Sequence, residues 1–199
     1  LAVLILVFVT KAYSQYSESF FSSNSNYKQE LEKSGAKSYT IPATVNYKPL
    51  GVINWSEGFE DVTFPPSGWA VHQLDGGTNT WMRYTSTPIF GSASAAVRWE
   101  SPTLSNDDWL VTPQFTVNPG AFLNFYAKRQ STFYDDSVEI YYSTSGGTPP
   151  SGYNYITTIM PAGTTGELFQ ISLSSLAGQN IYIAFRYKEL DQYRFYLDS

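Results

Sequence analysis

The stretch VEIYYS, Val138–Ser143, decides the fold class, because its side chains alternate between two chemical characters along the chain. In a β-strand successive side chains point to opposite faces, so Val138, Ile140 and Tyr142 share one face while Glu139 and Tyr141 share the other. The pattern therefore predicts a strand with one face in a core and the other face towards solvent.

On both sides of this stretch, from Asn54 onward, short apolar or alternating runs are separated by turn-rich clusters at roughly ten-residue spacing, which predicts a sandwich or a barrel. Pro113 cannot donate to a ladder, so it must lie at an edge, a bulge or a strand break. The predicted strands are WAVHQL from Trp69, SAAVRW from Ser94, DWLVTPQFTV from Asp108, FLNFYAKR from Phe122, SVEIYYST from Ser137, YITTIM from Tyr155, LFQISL from Leu168, NIYIAFRYK from Asn180 and RFYLD from Arg194.

Composition agrees with an all-β domain and excludes several kinds of site. The chain has 199 residues, 42% of them hydrophobic, with 16 Tyr and 13 Phe, which is enough to bury a core. A net charge of −5 without any Lys/Arg cluster in the sequence predicts no nucleic-acid or anionic-lipid partner. Cysteine is absent, so disulfides, thiolate nucleophiles and Cys-ligated zinc are excluded.

The first residues predict an export signal. The apolar run Leu1–Val9 is too short to span a bilayer as a helix, so no membrane span is expected, and Ala12-Tyr13-Ser14 resembles a signal-peptidase site. The alternative is a buried helix or strand. We predict a signal peptide over 1–14 that lacks its basic n-region, a linker or pro-segment of low order over 15–54, and a domain over 55–199.

The sequence offers little for catalysis. His72 is the sole histidine and lies between Val71 and Gln73 in a predicted strand, and no G-x-S-x-G elbow occurs, so we interpret it as an ordinary strand residue. Carboxylates for glycoside hydrolysis are available, but no spacing favours any pair of them. They are Glu57, Glu60, Glu100, Glu139, Glu167 and Glu189.

Without His or Cys clusters, a metal site would use hard oxygen donors, which favours calcium. Each Asp, Asn or Glu near a turn is by itself typical of a solvated turn residue, and DGGTN lacks the spacing of an EF-hand loop. The candidate donors are Glu60, Asp61, Asp75, Asn106, Asp107, Asp108 and Asp198.

Aromatic residues in or beside predicted loops are a second candidate feature, because their rings can stack on sugars or anchor a protein partner. The alternative is that these rings decorate the outer face of a sheet. The candidates for ligand binding are Phe133, Tyr134, Tyr153 and Tyr155, and Tyr187 and Tyr193 lie in a similar setting.

A succession of segments resembles the cleaved-adhesin family, also called the choice-of-anchor J domain, over about Trp55 to Ser199. DDWLVTP is the most specific of them, and AGQNIYIAFRY is nearly as telling. The full series is EGFEDVTFPPSGW, LDGGTNTW, SAAVRW, SNDDWLVTPQF, LNFYAKR, DSVEIYYSTSGGTP, LSSLAGQNIYIAFRYK and FYLDS.

The resemblance implies a jelly-roll β-sandwich of two antiparallel sheets, similar to MAM domains and carbohydrate-binding modules. It also implies structural calcium near the meeting of the first and last strands, with Glu60 and Asp198 as the best ligand candidates, followed by Asp108 and Asp75. The family often has a second acidic residue where this chain has Ser199, so the site or a final strand can be incomplete at the C-terminus.

The resemblance further implies an exported, secreted or cell-surface adhesion module without catalysis. Its partner would be a host or environmental protein or glycan, and the module would be part of a longer multidomain chain. The alternative is an accessory or carbohydrate-binding domain of a larger secreted peptidase or glycoside hydrolase.

Overall fold

Eleven β-strands and one short 3₁₀ helix form the part of the chain, Trp55–Ser199, that the computed structural model describes. The predicted signal peptide, 1–14, and linker, 15–54, lie outside the described residues. Within 55–199, no helix is long and apolar enough to cross a membrane. The strands are β1 Ala70–Gln73, β2 Met82–Tyr84, β3 Ser94–Arg98, β4 Asp108–Val111, β5 Phe115–Thr116, β6 Phe122–Arg129, β7 Val138–Ser143, β8 Asn154–Ile159, β9 Glu167–Ser172, β10 Asn180–Tyr187 and β11 Arg194–Asp198, and the 3₁₀ helix is Ser174–Leu176.

The strands form two sheets in which every neighbouring pair is antiparallel. The six-stranded sheet has the order β1-β4-β10-β7-β8, with β5 also paired to β10. The five-stranded sheet has the order β2-β3-β11-β6-β9. Non-consecutive neighbours dominate both orders, so most pairings join distant parts of the sequence. The predicted all-β sandwich of two antiparallel sheets is confirmed.

The alternation that predicted β7 is present in the structure. Val138 and Ile140 are buried in the main core, and Tyr142 packs against that core from a half-buried position. Tyr141 points to the other side, where it contacts Trp109 with a ring separation of 4.9 Å. The outer side of this sheet is therefore only partly exposed to solvent, because it carries a second apolar cluster built around Trp109, Val111 and Ala184.

The main core lies between the sheets and is supplied by their central strands. Ile181, Ile183 and Phe185 of β10 face Phe195 and Leu197 of β11, and all five are at most 2% exposed. Since burying a large apolar side chain stabilises a fold by roughly 1.5–3 kcal/mol, these two strands supply much of the stability. They also position the residues on the outer faces of both sheets.

Two elements differ from the predicted strands. The run from Asp108 is divided, with β4 ending at Val111 and β5 beginning at Phe115, and Pro113 lies in the break as expected for a residue without an N–H. The hydroxyl of Thr112 accepts a hydrogen bond from the Ile183 N–H at 2.9 Å, which replaces a ladder bond there. Strand β2 was not predicted, because three residues are too few to show an alternation.

Candidate functional site

Glu60 and Asp198, the first two predicted calcium ligands, lie together at one end of the sandwich. The Oδ2 atom of Asp198 accepts hydrogen bonds from the Ser94 hydroxyl at 2.7 Å and from the Phe90 N–H at 3.1 Å. Both carboxylate oxygens of Glu60 accept from the Ser92 N–H, at 3.1 and 3.0 Å. The loop before β3 thus joins a carboxylate from the start of the domain to one from its last strand.

The backbone around Glu60 is held closely. Phe59 is 2% exposed and adopts a φ of 58°, a left-handed conformation that is uncommon for a bulky residue. Arg83 donates from Nε to the Phe59 carbonyl and from one terminal nitrogen to the Glu60 carbonyl, both at 3.0 Å. A Cβ at Gly91 would lie 1.8 Å from the Glu60 carboxylate, so that position leaves no room for a side chain.

The two carboxylates differ in their electrostatics. Burial raises the pKa of Asp198, and the nearby charge of Glu60 raises it further. Hydrogen bonds from Ser92 lower the pKa of Glu60, which is exposed. Within residues 55–199 no group of three or more His, Cys, Asp or Glu side chains is placed to hold a metal ion. A cation here would therefore need hydroxyl and carbonyl oxygens beside these two carboxylates, which are donors that calcium accepts.

Asp75 and Asp108 lie elsewhere, at the opposite end of β3. Asn106 donates from Nδ2 to Asp108 at 2.8 Å and to the Arg98 carbonyl at 3.2 Å, whereas Asp198 is bonded to Ser94 at the start of that strand. The four predicted ligands therefore form two separate pairs rather than one site.

Asp108 is fully buried, and its Oδ1 has no hydrogen-bond partner within the described residues. Burial raises its pKa to about 7, and the charges of Asp75 and Glu100 add to that shift. Glu100 was not among the predicted ligands; its carboxylate accepts from the Thr78 N–H at 2.8 Å and the Asn79 N–H at 2.6 Å. A second group of oxygen donors is thus gathered around the DGGTN turn.

Tyr187, expected beside a loop, is instead fully buried at the end of β10, so it cannot contact a ligand. The four aromatic residues predicted to bind a ligand fall into two places. Tyr153 and Tyr155 lie on the outer side of the six-stranded sheet, whereas Phe133 and Tyr134 lie in the loop between β6 and β7. Phe133 is 94% exposed, and Tyr134 contacts Tyr193 of the loop before β11 with a ring separation of 5.6 Å. Both places have an ion pair beside the rings, but in the second place it joins Arg129 to the exposed Asp135 of the loop, at 2.7 Å.

We call the outer surface formed by Trp109, Tyr141, Tyr153, Tyr155 and Tyr182 the aromatic face. Trp109 lies beneath the other rings, with centroid separations of 4.9 Å to Tyr141 and 5.5 Å to Tyr153. Tyr155 lies 5.6 Å from Tyr141 and is 55% exposed, so it presents the most accessible ring. The arrangement provides a rigid apolar surface with hydroxyl groups at its edge.

Charged groups border the aromatic face. Arg186 forms a bidentate pair with Asp107 at 2.7 and 2.8 Å and reaches Glu139 at 3.2 Å, and its guanidinium lies 4.9 Å from the centre of Trp109. The bonds that Arg186 donates to Asp107 raise the pKa of the guanidinium, which stays charged. Burial alone would raise the pKa of Asp107, but bonds from Arg186 and Trp109 lower it overall. The network fixes polar acceptors beside the rings.

Sequence reasoning missed Trp109, Tyr141 and Arg186 as site residues. A signal existed for Arg186, because Tyr182, Ala184 and Arg186 alternate with the core residues of β10. The partner strands could not be read from the sequence, since Arg186 meets Trp109 only through the register of β10 with β4. His72 is likewise opposite Trp109 on β1, and burial lowers its pKa.

Comparison with known proteins gives three kinds of match. The model of the Cleaved Adhesin Domain family matches residues 52–167. Hemagglutinin A of Porphyromonas gingivalis (strain ATCC BAA-308 / W83) is 27% identical in an alignment 188 residues long, which covers 80% of this chain and 8% of that protein. The chain thus spans less than a tenth of the length of this relative.

Among solved structures, the K2 cleaved adhesin domain of Lys-gingipain has a TM-score of 0.60 at 20% identity, covering 72% of this chain and 95% of that one. The K1 domain of Lys-gingipain from Porphyromonas gingivalis W83 has the same TM-score at 21% identity, with coverages of 72% and 94%. A family 11 carbohydrate-binding module from Clostridium thermocellum, solved with a mixed-linked tetrasaccharide, has a TM-score of 0.50 at 14% identity, with coverages of 72% and 90%. These structures share the fold of the described domain.

Proposed function

Because the chain belongs to the cleaved adhesin domain family, we propose that it is a non-catalytic adhesion domain of a secreted or cell-surface protein, binding a host or environmental protein or glycan. The observation that carries this proposal is the aromatic face. It combines an exposed ring, Tyr155, with rings held rigidly beneath it and with polar groups fixed by Arg186. Rigid aromatic area costs little conformational entropy on binding, which suits recognition.

A glycan is the ligand that the chemistry of this face favours. Sugar rings present C–H groups that stack on an aromatic ring and hydroxyls that bond to polar groups beside it. Tyr155 and Tyr141 supply the rings, and Glu139 and Asp107 supply acceptors whose positions Arg186 fixes. The same face would serve an accessory domain of a larger secreted hydrolase, so flanking sequence with a peptidase or glycosidase domain would favour that alternative.

A glycan array compares the unmodified chain with Tyr155→Ala and, as a matched variant in the other aromatic group, Tyr134→Ala. We expect Tyr155→Ala to lose the signal and Tyr134→Ala to retain it, because Tyr134 lies in the β6–β7 loop. Loss with Tyr134→Ala alone would place the binding site in that loop. If the unmodified chain gave no signal on the array, a glycan ligand would be excluded and a protein ligand would remain.

We also propose that calcium bound at Glu60 and Asp198 stabilises the domain. The hard oxygen donors around these two residues support this, as does their position at the first and last parts of the domain. Calcium there would neutralise two neighbouring carboxylates and join chain segments that are distant in sequence. Asp75 and Asp108 are the remaining candidate ligands; they would belong to a separate ion, which would also need hydroxyl and carbonyl oxygens.

A further inference from the structure

The outer side of the five-stranded sheet concentrates positive charge in an acidic domain. Residues 55–199 contain seven Lys or Arg and fourteen Asp or Glu. Three of the seven lie on this one surface, which we call the cationic face: Arg98 on β3, Arg194 on β11 and Lys128 on β6. The strands of the sheet contain two carboxylates, and both are engaged: Asp198 accepts the bonds described above, and Glu167 accepts from the Ala162 N–H at 2.9 Å.

The register of the sheet places these cations together. Arg98 is directly opposite Arg194, and Lys128 is opposite Tyr196, two residues further along β11. Phe195 and Leu197 point into the core, so Arg194 and Tyr196 point outward. Like charges directly opposite one another on paired strands are destabilising. The pair of arginines therefore carries a cost that a bound anion would remove.

The two guanidinium groups are held in place but not neutralised. Arg194 stacks on Tyr84 at 4.1 Å from the ring centre, and its Nε is buried without a hydrogen-bond partner in the described part of the chain. Arg98 is exposed and lies 5.9 Å from the ring centre of Trp99. Among residues 55–199, neither arginine forms an ion pair. The positive charge of both groups is therefore left for a ligand to compensate.

A pocket of about 240 Å³ lies beside Lys128. Lys128 packs over Tyr196 at 4.7 Å and donates to the carbonyls of Thr87 at 2.7 Å and Pro88 at 3.3 Å, which leaves its third N–H without a bond in the described residues. Burial lowers the pKa of this amine, an effect that a bound anion would oppose. The pocket is lined by Thr87, Lys128, Arg129, Gln130, Thr164 and Tyr196.

We propose that the cationic face binds a sulfated polysaccharide, with a sulfate ester on Arg98 and Arg194 and the neighbouring sugar in the pocket beside Lys128. A sulfate ester has three terminal oxygens and can accept from both guanidinium groups, whereas a carboxylate has only two. The pocket supplies hydroxyl and amide groups of the kind that bond sugar hydroxyls. This site uses the opposite sheet from the aromatic face and does not depend on the function proposed for that face.

Three polymers with one backbone test the ligand class: dextran sulfate, carboxymethyl dextran of matched charge density, and neutral dextran. The 199-residue chain is immobilised and binding is measured by surface plasmon resonance. We expect dextran sulfate to bind more tightly than carboxymethyl dextran, and neutral dextran not to bind. Equal binding of the two charged polymers would overturn the sulfate assignment, and absence of binding to dextran sulfate would overturn the site.

Substitutions locate the site. The double variant Arg98→Gln/Arg194→Gln should weaken dextran sulfate binding by about tenfold or more, since it removes two charge-assisted contacts. Two single variants, Arg98→Gln and Lys188→Gln, each remove one exposed cation; Lys188 lies in the loop after β10, so Lys188→Gln should change binding by less than about twofold and Arg98→Gln by more. Equal losses in both variants would show attraction to net charge alone and contradict the proposal.

A charge-preserving variant separates geometry from charge and guards against misfolding. Arg98→Lys/Arg194→Lys keeps the two charges but lacks the guanidinium forks, so we expect it to bind dextran sulfate more weakly than the unmodified chain and more tightly than the Gln variant. Far-ultraviolet circular dichroism confirms the fold of each variant. Dextran sulfate should also raise the melting temperature of the unmodified chain more than that of the Gln variant; equal increases would contradict binding at the arginines.

Discussion

At the scale of single residues, Asp136 carries a buried charge whose effect on stability depends on pH. It is fully buried, accepts from the Tyr187 hydroxyl at 2.6 Å and from the Tyr193 N–H at 3.0 Å, and keeps one oxygen without a partner among the described residues. Burial raises its pKa above the ordinary value near 3.8. The folded chain therefore holds this proton more tightly than the unfolded chain does. As the pH rises from the ordinary pKa to the raised pKa of the folded chain, the free energy of unfolding falls.

The variant Asp136→Asn removes this titration, since an amide is neutral at every pH. Its free energy of unfolding, relative to the unmodified chain, should be higher at pH 7 than at pH 4, because only the unmodified chain then buries a charge. Urea denaturation at the two pH values measures the difference. The exposed control Asp135→Asn should show no comparable increase from pH 4 to pH 7. An Asp136→Asn difference that is the same at both pH values would contradict the raised pKa.

Single residues also show what could be predicted from the sequence at this scale. The acidic turn residues Glu60 and Asp198 were identified from the family motifs, and the structure places them together. Asp136 was not singled out, because its burial depends on Tyr187 from β10 and on the loop before β11. Residue type indicates possible donors, but the pairings of distant strands decide which of them are buried.

At the scale of elements, the two faces of β7 have different roles: the inward face stabilises the core, and the outward face belongs to the proposed binding surface. Ile140 is fully buried between the sheets, and its neighbour Tyr141 lies on the aromatic face. Ile140→Ala should reduce the free energy of unfolding by about 2–5 kcal/mol, because it removes core contacts and leaves a cavity. Urea denaturation measures this change.

The exposed residue Thr158 of β8 gives the control for that measurement. Thr158→Ala lies on the outer side of the same strand pair, opposite Glu139, and should change stability by no more than about 0.5 kcal/mol. If Ile140→Ala were as mild as Thr158→Ala, the inward face assigned to β7 would be wrong.

Element positions were largely predictable because alternation is a local property. The predicted runs correspond to ten of the eleven strands, and Pro113 marked the division of β4 from β5 through its missing N–H. Strand β2 was not predicted, because Met82–Tyr84 is too short to show a period and is recognised only by its pairing with β3. Sheet order was not predictable from the residues alone, since it depends on contacts between distant strands.

At the scale of the whole molecule, both outer faces are products of that sheet order. The sequence contains no cluster of Lys and Arg, yet the pairing of β3, β11 and β6 gathers Arg98, Arg194 and Lys128 on one side. In the same way, residues from β4, β7, β8 and β10 form the aromatic face. Charge and aromatic content could be counted from the sequence, but their segregation to opposite sides of the sandwich could not.

The proposed calcium site acts at this whole-molecule scale, because Glu60 precedes every strand of residues 55–199 and Asp198 ends the last one. An ion that binds only the folded domain stabilises it by mass action, by about 2.7 kcal/mol when calcium is present at 100 times its Kd. A chelator should therefore lower the melting temperature of the unmodified chain and have little effect on Glu60→Gln/Asp198→Asn. Differential scanning calorimetry with and without the chelator measures both.

Two variants make this experiment specific to the proposed ligands. Asp61→Asn changes the carboxylate next to Glu60. Among residues 55–199, Asp61 bonds only to the nearby Thr63 N–H at 3.0 Å, so this variant should remain as sensitive to the chelator as the unmodified chain. Asp75→Asn/Asp108→Asn tests the separate pair at the other end of β3. If only Asp75→Asn/Asp108→Asn lost its response to the chelator, calcium would bind around the DGGTN turn and not at Glu60 and Asp198. The first and last segments of the domain would then be joined without an ion, through the hydrogen bonds of Ser92 to Glu60 and of Ser94 to Asp198.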